Sequence, residues 1–292
     1  MIGGLLLVAC GEPAALQAED LPAPARRFVV GNEGRHDLFG EALAGRGGAL
    51  LCVGGDHCYT LLALAGAEAA YLIDHDRRVI ELHAELGARV IAAVDVDALL
   101  AGLAAPPTQV SLAAAWPAVT DHLRRVAARP STWLSDPVLY ARSREAWRTG
   151  AVHPLLGDLA GDRAMASIAR SARDRGPLFT AIYLSNAEEG LDDRGALRRN
   201  LAGLPRAPDS VLLRTFFLPD WPAADGLWSY QVHGVEHYLA RAGDPPMDLA
   251  AIVADARARG ELRVDPERPG LSTIATNSSA RGDDDHAGGP HR

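Results

Sequence analysis

Apolar positions along this chain cluster into short dense runs, set off by glycine, proline and acidic residues. Leu50–Val53 is such a run and ends at Gly54-Gly55; Tyr59–Leu64 continues as an apolar helix. Ala69–Ile73 is a second run, with Asp74 at its end. Runs of this length bounded by turn residues predict strands buried on both faces. Gly150–Leu156, Leu178–Leu184 and Ser210–Leu218 repeat the pattern, and Trp228–Val232 is a weaker instance. Helical spacing predicts helices over Arg77–Leu86, Asp95–Leu103, Gln109–Ala128, Ala164–Arg173, Asp193–Leu201, Val235–Arg241 and Asp248–Arg259. Ser135-Asp136-Pro137 carries a capping side chain followed by proline, the chemistry of a helix start, and opens a helix to about Arg148. Ala88–Val94 fits either a strand or a helix.

Strands and helices therefore alternate, which implies a doubly wound, mostly parallel α/β sheet of Rossmann type with right-handed crossovers. A mainly helical insertion over 77–149 separates the second strand from the third and is expected to cap the carboxyl edge of the sheet. Arg26–Ala44 reads as a helical lead-in with a turn at Gly31–Gly34. The domain is expected over 26–264, preceded by a leader and tether (1–25) and followed by a disordered tail (265–292).

Gly54-Gly55 and Asp74 are the first chemistry in the pattern. Glycine after a strand permits a sharp turn and a close approach of a ligand to the backbone. A carboxylate about twenty residues on is placed to accept from ribose hydroxyls. The pair fits nucleotide binding and equally a purely structural turn, because Gly54-Gly55-Asp56 is not the full three-glycine fingerprint.

Composition narrows the choice. At 292 residues with 48% hydrophobic content the chain can bury a sizeable core. A net charge of −8 argues against a nucleic-acid surface, which needs clustered cations. The chain has no lysine, so no lysine Schiff base or P-loop lysine is available. Leu7-Val8-Ala9-Cys10 resembles a bacterial lipobox, in which Cys10 is lipidated, and the polar, proline-bearing residues that follow suit a tether in the cell envelope. No arginine precedes the short apolar run, so a buried strand or a frayed cytoplasmic N-terminus is the alternative. No other stretch is long and apolar enough to span a membrane. Cys52 and Cys58 do not have zinc spacing, and strand-to-helix geometry disfavours a bridge, so both are expected as thiols.

Three segments, Val53–Asp76, Trp133–Arg142 and Leu155–Pro205, together resemble an uncharacterised bacterial family with a class I S-adenosylmethionine methyltransferase-like fold, in which VGxDxxYTL-type and YLSN segments recur. The resemblance covers about residues 28–240. It implies S-adenosylmethionine as cofactor. Gly54, Gly55 and Asp56 would then stand at its methionine part, Asp74 at the ribose, Asp158 at the adenine amino group, and Ser185 and Asn186 at the substrate end. Asp56 puts an anion where the cofactor carboxylate would lie, and the fourth strand ends in LSNAEE rather than the D/N-P-P-Y of amino-methylating enzymes.

The other constellations have plainer readings. His57, at a helix start, is a general-base candidate or simply lines the site, and Asn186 is the second catalytic candidate. His233–His237 matches H-x-x-E-H, an inverted zinc-protease motif, but Gly234 and Val235 favour a strand-to-helix junction, so no metal site is expected. Glu188 and Glu189 are either a carboxylate pair or dipole-stabilised helix-start charges. Asn32 and Glu33 read as a surface turn or a segment closing over a cofactor, His75 as a solvated strand end, and His153 as a satisfied core histidine. The sequence thus points to a methyltransferase-like protein binding S-adenosylmethionine or a related nucleoside. The competing expectation is a non-catalytic envelope lipoprotein using the fold as a binding module.

Overall fold

The computed structural model describes residues 14–23, 29–218, 221–241 and 247–275; Cys10 lies outside them. Each apolar run becomes a strand of one eight-stranded sheet. In chain order the strands are β1 (Ala49–Val53), β2 (Ala69–Asp74), β3 (Val152–Leu156), β4 (Phe179–Ser185), β5 (Arg206–Phe216), β6 (Ser229–Gly234), β7 (Leu262–Val264) and β8 (Leu271–Ile274). Across the sheet they run β3-β2-β1-β4-β5-β6-β8-β7. The first five are mutually parallel, and β6 turns back antiparallel on β5.

The helices are α1 (Gly40–Leu43), α2 (His57–Ala65), α3 (Arg77–Ala92), α4 (Val96–Gly102), α5 (Trp116–Ala127), α6 (Pro137–Arg148), α7 (Arg163–Arg175), α8 (Arg194–Gly203), α9 (Val235–Arg241) and α10 (Leu249–Ala258). Successive strand side chains alternate between the faces. Leu50, Cys52, Ala70, Leu72, Ala181 and Tyr183 therefore meet the layer of α2, α3, α5 and α6. Leu51, Tyr71, Ile73, Ile182 and Leu184 meet the layer of α7 to α10. This is a doubly wound, mostly parallel α/β fold with a helical insertion after the second strand. Where helix-start chemistry was legible it operates: Asp136 accepts from the Val138 and Leu139 amides at 2.8 and 3.2 Å, and Pro137 opens α6.

Several expectations are corrected. The insertion does not simply cap the carboxyl edge. Its apolar faces, including Leu82, Leu86, Val119, Leu123 and Tyr140, are drawn into the core on one face of the sheet. The ambiguous stretch after Leu86 continues α3 to Ala92, because Val90 is buried on the same stripe. The helical lead-in is mostly irregular: residues 29–35 form no helix, and only a 3-10 turn (His36–Phe39) and the short α1 follow. The tail begins later than 265, since Leu271–Ile274 pairs with β6 on one side and β7 on the other.

Residues 14–23 are docked rather than free. The Glu19 carboxylate accepts from the amides of Asp158, Arg163 and Ala164 at 2.8, 3.1 and 3.1 Å and so occupies the N-terminus of α7. Cys52 and Cys58 form a disulfide with a Cα separation of 5.9 Å. The glycine turn between them folds the start of α2 back towards the end of β1, which brings the two sulfurs together. His153 is only half-buried, and its Nε2 lacks a hydrogen-bond partner among the described residues. Burial lowers its imidazole to about 4.

Candidate functional site at the carboxyl edge of the sheet

The strand order reverses at β1, since the chain fills β2 and β3 on one side and then β4 and β5 on the other. In open α/β sheets the crevice outside the carboxyl ends at such a reversal is the ligand-binding position. Here it is floored by Gly54 and Gly55 after β1, Asp74 at the end of β2, and Ser185 and Asn186 at the end of β4. Over it lies the segment from Val29 to His36.

Gly54 is required twice over. Its φ is +97°, and a Cβ there would lie 2.8 Å from His57 Cε1. Its carbonyl accepts from His83 Nε2 at 2.8 Å. The β1–β2 register pairs Val53 with Ile73, so Gly54 follows beside Asp74. Burial raises the Asp74 carboxyl above its usual range, opposed by the Asp76 amide donating to Oδ1 at 2.8 Å. Ser185 has a positive φ of 55°, a conformation that a non-glycine residue holds only when its surroundings enforce it.

Its side chain is held by Glu33, whose Oε1 accepts from the Ser185 hydroxyl and, at 3.2 Å, from that of Thr215. Glu33 is therefore buried, not part of a surface turn. His36 Nε2 pairs with the Tyr183 hydroxyl at 2.9 Å. The His36 ring stacks on His57 with centroids 4.6 Å apart and planes 3° from parallel. Burial, and then the neighbouring His57, hold the His36 imidazole well below its ordinary range. Burial, and then the Glu33 charge, push the Tyr183 phenol well above its own. His57 Nε2 pairs with the Val53 carbonyl at 3.0 Å. The overlying segment is pinned from β6, where the Tyr230 hydroxyl accepts from the Gly34 and Arg35 amides at 2.9 Å each and donates to Asp225 at 2.7 Å.

Of the residues singled out from the sequence, Gly54, Gly55, His57, Asp74, Ser185 and Asn186 meet along this edge. Asp158 is farther out, two residues beyond the edge strand β3; its Oδ1 accepts from the Ala160 amide at 2.8 Å. Asp56 turns away from the crevice. Its carboxylate accepts from His122 Nε2 at 2.8 Å and Trp133 Nε1 at 3.1 Å, both in the insertion. Burial would raise this carboxyl, but the His122 interaction outweighs it and leaves the pKa lowered. The anion expected to crowd the cofactor carboxylate is instead an anchor for the insertion.

Sequence reading missed Glu33 as a buried group, along with His36, Tyr183 and Thr215. No spacing marks them as a group, because the overlying segment, β4 and β5 contribute them. The H-x-x-E-H residues form the strand-to-helix junction: His233 is on β6, which ends at Gly234, His237 is on α9, and His233 Nε2 bonds His237 Nδ1 directly at 2.8 Å. Glu188 ion-pairs with the buried Arg214 at 3.1 Å and is not one of a free carboxylate pair. Its neighbour Glu189 is raised by burial and then by the Glu188 charge.

The family model described as "Domain of unknown function (DUF7790)" matches residues 28–113 and 100–275. The chain belongs to this family. The match takes in the sheet, the insertion and the overlying segment, so the crevice lies wholly inside the DUF7790 domain. No curated protein matches the chain. Among solved structures it is similar to the N-methyltransferase NodS from Bradyrhizobium japonicum WM9 at 9% identity, covering 80% of this chain and 86% of that one, with a TM-score of 0.29. Among the described residues no helix is long and apolar enough to cross a membrane.

Proposed function

We propose that this DUF7790 protein binds S-adenosylmethionine or a related nucleoside at the carboxyl edge, as a methyltransferase-like protein. The observation that carries the reading is Gly54 beside Asp74 at the strand-order reversal. The glycine holds the turn at positive φ and lets the His57 ring lie against the backbone at the strand end. The Asp74 carboxyl is oriented through Oδ1 by the Asp76 amide, and Oδ2 is left to accept from ribose hydroxyls. A sulfonium cofactor supplies an activated methyl group, and the protein's contribution would be positioning. In this reading His57 and Asn186 are the groups placed to hold or orient the attacking nucleophile. Asp158 serves the adenine, while Ser185, held at positive φ, supports the substrate end. Calorimetry of the full chain with S-adenosylhomocysteine is expected to show one-site binding, lost in Asp74→Ala. No heat at millimolar ligand would sink the reading.

A second reading has one specific observation in its favour. The Cys52–Cys58 disulfide suits an oxidising compartment, as does the lipobox-like segment ending at Cys10. There S-adenosylmethionine is not expected, and the fold would serve as a lipid-anchored binding module in the cell envelope.

A further inference from the structure

The overlying segment brings a carboxylate and an imidazole to a second imidazole at the start of α2. Ligand-capable atoms of Glu33, His36 and His57, one from each, lie within 4.8 Å of one another. We propose that these three residues bind a divalent transition-metal ion.

What surrounds them carries the proposal. Metal-binding histidines and carboxylates engage protein partners through their outer atoms, which fixes their orientation and leaves the inner atoms for the ion. Glu33 and His57 show this arrangement. Glu33 Oε1 accepts from Ser185 and Thr215. His57 Nε2 is engaged by the Val53 carbonyl, which sets the tautomer and leaves the Nδ1 lone pair. One nitrogen of His36 is engaged by Tyr183. Between the inner atoms the backbone keeps a gap. A Cβ on Gly31 would stand 3.1 Å from Glu33 Oε2 and 3.1 Å from His57 Nδ1, so glycine at that position preserves the space between the two.

Charge points the same way. A buried carboxylate is costly unless a cation compensates it. Among the described residues no arginine ion-pairs with Glu33, whereas buried Glu188 has Arg214. The other grouping that shares His57, with Cys52 and Cys58, is closed because those sulfurs are bonded to each other. The His233–His237 pair is closed likewise, its rings being hydrogen-bonded to one another.

Two imidazoles and one carboxylate are a borderline N2O donor set. It suits Zn2+, Fe2+ or Co2+ and disfavours Mg2+, which prefers all-oxygen coordination. Three protein ligands leave coordination positions for water or a substrate atom, at the edge where Gly54, Asp74 and Asn186 converge. The proposal does not rest on nucleoside binding and is tested with metal alone.

The full-length protein, stripped with EDTA and with its disulfide intact, is titrated with Zn2+ by calorimetry and with Co2+ by visible absorption. One equivalent is expected, displaying Co2+ ligand-field bands without a thiolate charge-transfer band, and Mg2+ gives no saturable binding. Glu33→Gln and His36→Gln are each expected to weaken Zn2+ by about 100-fold or more, and Thr215→Val by about 10-fold through the loosened carboxylate. His233→Gln leaves the affinity unchanged. Wild-type protein that takes up no stoichiometric Zn2+ overturns the proposal, as does a thiolate band in wild-type protein, which needs no variant to fold. Folded Glu33→Gln and His36→Gln proteins of undiminished affinity do the same. Loss of S-adenosylhomocysteine binding alone leaves the metal site standing.

Discussion

His83 lies wholly inside the fold, with both ring nitrogens engaged: Nε2 faces the Gly54 carbonyl at 2.8 Å and Nδ1 the Tyr59 hydroxyl at 2.9 Å. The neutral ring satisfies both partners, with one N–H donating and one lone pair accepting. Burial lowers its pKa to about 4, against about 6.5 in an unfolded chain. Between these values the unfolded state binds more protons than the native one, so stability rises with pH. The contribution is complete above pH 6.5 and is lost as the pH falls towards 4. A step from pH 7.5 to 5 therefore removes about 2 kcal/mol through this group. Burial shifts His36 and His233 in the same direction. Urea midpoints of metal-free protein are expected to fall between pH 7.5 and 5, with a shallower slope in His83→Gln. An equal slope in that variant would remove His83 from the account. At this scale the sequence was legible only in part. Gly54 and Asp74 follow strand runs and announce themselves, while His36, His83 and Tyr183 acquire their roles from partners distant in sequence.

Elements were legible where an apolar run had turn residues at both ends, as in β1, β2 and β4. They were not where the deciding contact came from elsewhere. The helix α3 runs through the ambiguous stretch, and Gly87, which propensity counts against it, is where α6 comes closest. A Cβ on Gly87 would meet Trp147 Cε3 and Cζ3 at 2.6 Å. An alanine in a helix ordinarily gains up to about 1 kcal/mol over glycine. Here the overpacking outweighs that gain, and Gly87→Ala is expected to destabilise by about 1–3 kcal/mol. Gly102→Ala in α4, with nothing within 4 Å, is expected to be neutral or slightly stabilising. Equilibrium denaturation of the two variants side by side checks the sign; a stabilised Gly87→Ala would mean that α6 yields without cost. The docked N-terminal segment obeys the same logic. Its composition reads as a tether, yet Glu19 meets the unsatisfied amides at the start of α7, and three charge-assisted hydrogen bonds hold the segment down.

For the whole molecule, compartment decides which ligand the crevice meets. The envelope reading proposed above is drawn from the disulfide and the lipobox-like sequence, and the nucleoside reading from the Gly54–Asp74 edge. Fractionation of the native host separates them. If Cys10 is lipidated, the protein partitions with membranes and Cys10→Ala releases it to the soluble fraction; equal partitioning of both forms removes the anchor. The alternating α/β architecture and the helical insertion were determined by the sequence itself, because apolar periodicity and glycine or proline breaks act over a few residues. Tertiary structure alone decided the rest. The four residues of β8 are too short a run to declare a strand until β6 and β7 offer hydrogen bonds on both sides. Asp56 faces away from the crevice because His122 and Trp133, far along the chain, supply its donors. Glu33, His36 and His57 form a cluster only after Tyr230 catches the Gly34 and Arg35 amides and lays the segment across the strand ends. Burial and hydrogen-bond satisfaction are properties of the assembled chain, and no local pattern carries them.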